Sequence, residues 1–165
     1  MVEIRRARTS DVRAIRGLVD AYTSDRRLLS KATVTLYESV QEFWVAVDDD
    51  ERMVGCGALH VMWEDLAEIR TVAVDPACRG RKIGHQIVRR LLDQARELGV
   101  ARVFCLTFET RFFGSFGFTE IDGAPVPHAV YEQLLRSYDE GVAEFLDLER
   151  VKPNTLGNTR MLLHL

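Results

Sequence analysis

One stretch of this chain narrows the possibilities more than any other: Glu68-Ile69-Arg70-Thr71-Val72-Ala73-Val74-Asp75-Pro76-Ala77-Cys78-Arg79-Gly80-Arg81-Lys82-Ile83-Gly84-His85. Its branched apolar residues read as a buried strand, Asp75-Pro76 as a turn, and the residues from Ile83 onward as a helix. Gly80 and Gly84 let the intervening backbone approach a ligand closely and adopt conformations that side chains bar. The N–H groups of a helix's first turn have no acceptor within the helix, and the helix dipole favours an anion there. Arg79, Arg81 and Lys82 add positive charge, so the group that fits is a pyrophosphate. No Gly-Lys-Ser or Gly-Lys-Thr follows, which excludes a P-loop. No G-x-G-x-x-G opens a dinucleotide-binding unit either.

Composition removes several other classes. A chain of 165 residues fits one domain, and a net charge of −3 gives no electrostatic reason to expect a nucleic acid or a membrane surface as partner. Arg5, Arg6, Arg8, Arg13 and Arg16 crowd the beginning but alternate with apolar residues, as on a solvated helix face. No apolar run approaches the roughly 20 residues that a membrane span needs, and the start lacks the apolar core of a secretory signal. Cys56, Cys78 and Cys105 are odd in number and form no C-x-x-C pair. They read as reduced thiols of a cytoplasmic protein. His60, His85, His128 and His164 are scattered, so no metal site is expected.

The remaining elements follow from periodicity. Val2 to Ala7 reads as a strand, and Thr9 or Ser10 as the cap of a helix that buries Val12, Ile15, Leu18, Val19 and Tyr22. Thr23 to Lys31 reads as a loop and Thr35 to Val40 as a short helix. Strands are expected over Phe43–Val47, Met53–Trp63 and Ala67–Val74, the first two joined by the acidic turn Asp48-Asp49-Asp50-Glu51. A long amphipathic helix runs from Ile83 to Leu98 and stops at Gly99. A strand at Val103–Thr107, a short helix at Glu109–Phe116, a strand at Phe118–Ile121, a helix near His128–Ser137 and a strand at Arg160–His164 complete the chain. Strands followed by a helix between strands imply an α/β fold, with a mixed sheet in one layered domain spanning 1–165.

Arg79-Gly80-Arg81-Lys82-Ile83-Gly84 resembles the acetyl-CoA motif of the GNAT superfamily of N-acetyltransferases, written R/Q-x-x-G-x-G/A. Phe112-Phe113-Gly114-Ser115-Phe116-Gly117-Phe118 resembles the F/Y-x-x-x-G-F signature that precedes that family's next strand. The resemblance covers nearly the whole chain. It implies a single-domain, mostly antiparallel sheet flanked by helices, and acetyl-CoA as co-substrate without a metal. It further implies that pantetheine pairs with the backbone at Val72, Ala73 and Val74. The pyrophosphate then lies on the N–H groups of Arg79, Gly80, Arg81, Lys82, Ile83 and Gly84, extending to His85.

An amine must lose a proton before it attacks a thioester, and a carboxylate accepts that proton directly or through water. Glu68 stands four residues before Val72 and matches the family's frequent base position. The Val72 N–H is the expected donor to the oxyanion. Many relatives carry a tyrosine where this chain has Phe113, so no general acid is assigned there, and water, Tyr131 and Tyr138 stay open.

Within the superfamily the chain is most similar to the short, actinobacterial-type N-acetylglutamate synthases. The similar stretches include Leu28-Leu29-Ser30-Lys31, Glu42-Phe43-Trp44-Val45-Ala46, Cys56-Gly57-Ala58-Leu59-His60, Leu106-Thr107-Phe108-Glu109-Thr110 and Gly157-Asn158-Thr159-Arg160-Met161-Leu162. Those synthases also carry Phe at the position of Phe113. The resemblance implies glutamate or glutamine as acceptor, at the start of arginine biosynthesis, in a chain without the arginine-sensing half of longer synthases. Lys31 matches the α-carboxylate ligand, and Arg160 with Thr159 and Asn158 is expected to hold the side-chain end through forked donors. Cys56 is placed at the substrate as well, with Arg26, Arg27 and Arg70 as weaker candidates. A homodimer, an acetyltransferase acting on protein N-termini or lysines, and a non-catalytic acyl-CoA sensor remain open from the sequence.

Overall fold

The computed structural model describes residues 1–23, 32–154 and 157–165. Strand β1 covers Glu3–Arg6, β2 Phe43–Val47, β3 Met53–Trp63, β4 Leu66–Val74, β5 Arg102–Thr107, β6 Thr119–Glu120 and β7 Thr159–His164. They are hydrogen-bonded neighbours in the order β1-β2-β3-β4-β5-β7-β6. The pairs β1–β2, β2–β3, β5–β7 and β6–β7 are antiparallel, and β4–β5 is parallel. The fold is therefore the expected α/β arrangement, a mixed and mostly antiparallel sheet with helices. By density of contacts the chain divides into two units, one of Met1–His60 with Ile69–Leu98, the other of Val61–Glu68 with Gly99–Leu165.

In the first unit, helix α1 (Val12–Thr23) and helix α2 (Thr33–Glu38) cover one sheet face. Val12, Ile15, Leu18, Val19 and Leu36 pack there against Phe43, Val45, Cys56, Ala58 and Ala73. The start of α1 differs from the expectation of a Thr9 or Ser10 cap. Thr9–Asp11 forms a 3-10 turn, and Asp11 reaches back to accept from the Arg8 N–H at 2.7 Å while gripping Arg5 at 2.8 and 3.1 Å. A carboxylate that holds a guanidinium fork and an N–H together outcompetes a hydroxyl for this position.

Helix α3 (Ile83–Leu98) covers the other face, and glycines on β3 make room for it. A β-carbon at Gly55 would stand 2.7 Å from Ile87 Cδ1 and 3.0 Å from Ile83 Cγ2. One at Gly57 would stand 2.7 Å from Ile87 Cγ2, 3.1 Å from Leu91 Cδ1 and 3.3 Å from Val72 Cγ2. Cys56, between them, points to the opposite face, as strand alternation requires. Farther along α3, the Trp44 indole N–H donates to Gln94 at 2.6 Å, and Arg90 lies over the Trp44 ring.

The second unit contains the start of β4, then β5, β7 and β6, with helices α4 (Thr110–Gly114), α5 (His128–Leu134) and α6 (Glu140–Phe145). Met62, Leu66, Phe104, Leu134, Val142, Phe145, Leu146 and Leu162 form its core, where Phe104 meets Phe145 edge-on at 5.1 Å. Helix α6 and a 3-10 stretch at Glu149–Asn154 are absent from the sequence expectation. Every residue from Gly141 to Phe145 is buried, so α6 shows no polar face and no 3.6-residue alternation to read. The legible signal was its cap: Asp139 accepts from the Val142 N–H at 3.0 Å.

Replacing Gly57 by Ala is expected to lower stability by about 1–3 kcal/mol, the usual cost of forcing a methyl into a filled space. Thermal or denaturant unfolding of the variant measures this. An unchanged midpoint would mean that α3 shifts without strain.

Candidate active site

The residues singled out in the sequence fall into the two units. Cys56, Arg70, Val72, Ala73, Val74 and Arg79 to His85 belong to the first, and Glu68, Asn158, Thr159 and Arg160 to the second. Lys31, Arg26 and Arg27 lie outside the described residues.

The loop of the first unit starts at a fixed turn. Asp75 accepts from the Ala77 N–H at 2.9 Å and caps the 3-10 turn Pro76–Cys78, while its own N–H donates to the Val54 carbonyl at 2.8 Å. Arg79, Gly80, Arg81 and Lys82 follow in the open, and Ile83, 1% exposed, anchors the helix start. Gly80 has φ +84° and Lys82 φ +58°. A turn carrying such left-handed residues gathers successive N–H groups onto one concave side, where an anion fits. The first bond of α3 runs from the Gln86 N–H to the Lys82 carbonyl, so helix geometry leaves the N–H groups of Ile83, Gly84 and His85 without an acceptor inside the helix. Gly84 differs from expectation in one respect. It is not among the positive-φ glycines, and Lys82 takes the second left-handed position instead. These features suit a pyrophosphate bearing two or more charges.

Strand β4 breaks its regular course just before this loop. Thr71 has φ +58°, a rare conformation for a β-branched residue. Its carbonyl accepts from the Cys56 thiol at 3.5 Å. Cys56 is completely buried, and burial pushes its thiol up to about 12, a tendency that the Ala73 N–H opposes. This is not the substrate contact expected from the sequence, because the thiol faces the core and the β4 backbone. Past the break, Ala73 is core, whereas Val72 and Val74 are partly exposed. The Val74 carbonyl accepts from the Tyr22 hydroxyl. The sequence showed Tyr22 only as part of an apolar stripe, and its polar end went unnoticed there.

In the second unit Glu68 is 3% exposed, on β4 opposite Phe104 of β5. Its charge reaches Cys105, whose thiol is raised first by burial and then by Glu68. Phe113 packs edge-on against Phe112 and Phe118 and offers no proton. Tyr138 is fully exposed, and Tyr131 packs beside the core that contains Phe104.

Arg160 is used differently from the substrate fork expected of it. Its Nη1 donates to the Glu144 carbonyl at 2.6 Å, and its Nη2 to the Gly123 carbonyl at 2.8 Å and to the Phe145 carbonyl. The guanidinium lies 5.2 Å from the Phe104 ring centre. Burial lowers its proton affinity, and Asp147, Asp122 and Glu144 oppose that shift. It therefore caps the C-terminal carbonyls of α6, where a cation also meets the negative end of the helix dipole. Asn158 Oδ1 and Arg160 Nε are buried and find no hydrogen-bond partner among the described residues.

Residues 13–118 match the model of the acetyltransferase (GNAT) family. The chain is 65% identical over 162 residues to an amino-acid acetyltransferase of Mycobacterium tuberculosis, across 97% of this chain and 92% of that protein. It is 30% identical over 119 residues to an amino-acid acetyltransferase of Neisseria meningitidis, spanning 71% of this chain but 27% of that longer protein. A crystal structure of a Mycobacterium tuberculosis protein in complex with CoA and NLQ superimposes with a TM-score of 0.95 at 64% identity, covering 99% of both chains. An N-acetylglutamate synthase from Neisseria gonorrhoeae, complexed with coenzyme A and N-acetyl-glutamate, superimposes with a TM-score of 0.78 at 22% identity. That likeness covers all of this chain and 35% of the synthase and concerns the fold alone.

Arg160→Met is expected to destabilise the substrate-free protein by at least about 1.5–3 kcal/mol, the scale of one hydrogen bond from a charged donor. Thermal unfolding without ligand decides the point. An unchanged midpoint would show that the α6 carbonyls do not depend on Arg160.

Proposed function

The chain belongs to the GNAT family of acetyltransferases, and from that membership we propose that it transfers the acetyl group of acetyl-CoA to the α-amine of L-glutamate or L-glutamine. It is an acyltransferase with acetyl-CoA as co-substrate. The observation that carries the choice of acceptor is the 65% identity, over nearly the full chain, to a protein named amino-acid acetyltransferase. The left-handed loop at Gly80 and Lys82, leading into the first turn of α3, supports the place given to the pyrophosphate. The domain is taken as residues 1–165, acting in the cytoplasm on a small-molecule acceptor that feeds arginine synthesis. Among the described residues no helix is long and apolar enough to cross a membrane.

In this reading the N–H groups from Arg79 to His85 hold the pyrophosphate, and the backbone at Val72, Ala73 and Val74 aligns the pantetheine arm. The Val72 N–H donates to the thioester oxygen as charge develops on it. Glu68 takes the proton from the substrate ammonium, directly or through a water, and the neutral amine then adds to the thioester carbonyl as the C–S bond breaks and the CoA thiolate leaves. Lys31 binds the α-carboxylate common to all amino-acid acceptors, and Arg70, Asn158 and Thr159 are candidates for the other end.

Glu68→Gln keeps the side chain's size and removes the proton acceptor, so turnover should fall by about 10²–10⁴-fold while acetyl-CoA affinity holds. A wild-type rate near neutral pH would exclude Glu68 as the base. For the acceptor, a steady-state panel of amino acids, peptides with free N-termini and lysine-containing peptides is the direct measurement. L-glutamate or L-glutamine should lead it, and Lys31→Ala should reduce kcat/KM for every free amino acid by about ten- to a hundredfold. Preference for peptide N-termini or lysine side chains would overturn the amino-acid assignment and leave the acetyltransferase intact.

A further inference from the structure

Thr71 occupies a left-handed conformation inside a strand, and such a conformation persists only where its surroundings over-determine it. One polar group that does so is on the neighbouring strand. Cys56 is opposite Val45 in the β2–β3 register and fully buried, so its side chain has little freedom. Its Sγ stands 3.5 Å from the Thr71 carbonyl, to which it donates, and the Ala73 N–H opposes the upward shift of the thiol. The thiol thus engages the peptide between Thr71 and Val72. With burial raising it to about 12, the group stays protonated at neutral pH and remains a donor.

Backbone planarity carries the consequence to Val72. All the described peptide bonds are trans, and in a trans peptide the C=O and the following N–H point in opposite directions. A Thr71 carbonyl turned toward Cys56 on β3 therefore turns the Val72 N–H away from β3. The register of β4 with β5 covers Leu66, Ala67 and Glu68, so Val72 lies beyond it.

We propose that Cys56 is a positioning residue for acyl transfer, its thiol holding the peptide between Thr71 and Val72 in the orientation that presents the Val72 N–H to the thioester oxygen. This rests on the reading of Val72 as the oxyanion donor given above. The role goes beyond filling the core. A methyl fills part of the space but removes the donor to the Thr71 carbonyl, whereas a hydroxyl keeps one.

The test is steady-state kinetics with acetyl-CoA and the better of L-glutamate and L-glutamine, with thermal unfolding of each protein alongside. Cys56→Ala should lower kcat by about three- to tenfold, the scale of one hydrogen bond, and leave the KM for acetyl-CoA within about twofold. Cys56→Ser should restore kcat to within about twofold of wild type, as expected of a retained donor. Cys56→Val fills the cavity without a donor and should match the alanine variant, which keeps the test open if alanine folds poorly. A donorless variant with wild-type kcat, or a serine variant as slow as alanine, overturns the proposal and leaves the function standing. If the wild-type protein transfers no acetyl group to any acceptor, the functional reading falls first and this one with it.

Discussion

At Gly55 and Gly57 the β3 backbone carries no side chain on the face that α3 covers, and methyls there would stand 2.7 Å from Ile87. That close approach draws the first turns of α3 onto β3. The Gly55 site also lies 3.4 Å from the Ala73 carbonyl, so helix and β4 meet over the same glycines. Dispersion falls steeply with separation, so a methyl that pushed α3 away from β3 would weaken the contact. The loop from Arg79 to Lys82 is suspended between two fixed points, the Asp75 turn and the buried Ile83. Its exposed cations need no packing of their own, because their backbone is held from both ends.

Local sequence carried most of this architecture. The bounds of α3 follow from helical periodicity and the stop at Gly99, because the helix has one apolar side, and those of β2 and β3 from apolar runs parted by an acidic turn, since both strands are buried on both faces. Helix α6 failed to announce itself for the opposite reason, since burial on all sides erases the pattern. The loop was legible through its glycines, yet a lysine holds one of its two left-handed positions, and no residue type advertises that. The left-handed Thr71 was equally invisible, because a threonine within a run of valines looks like ordinary strand. Tyr22 and Cys56 show the remaining limit. Periodicity says which way a side chain points but not what its polar atom meets.

Arg160 illustrates how one charge can be legible in position and illegible in use. Its place on the last strand was read correctly, but its partners come from residues 123, 144 and 145, brought near by a helix that the sequence did not reveal. Three carbonyls take up both Nη atoms of the guanidinium, and the flanking Asp147, Asp122 and Glu144 offset part of its desolvation. Lysine in the same place would offer a point charge in place of a planar fork and would not span the same carbonyls.

A threonine held at positive φ costs on the order of 1–3 kcal/mol that a glycine would not. Glycine would also free the neighbouring peptide to swing, since it populates both signs of φ. If the Val72 N–H acts as proposed, the same position sets stability and catalytic order against each other. A campaign of thermostabilising substitution guided by backbone strain alone would choose glycine at residue 71, and on that proposal it would trade a higher melting point for a slower enzyme.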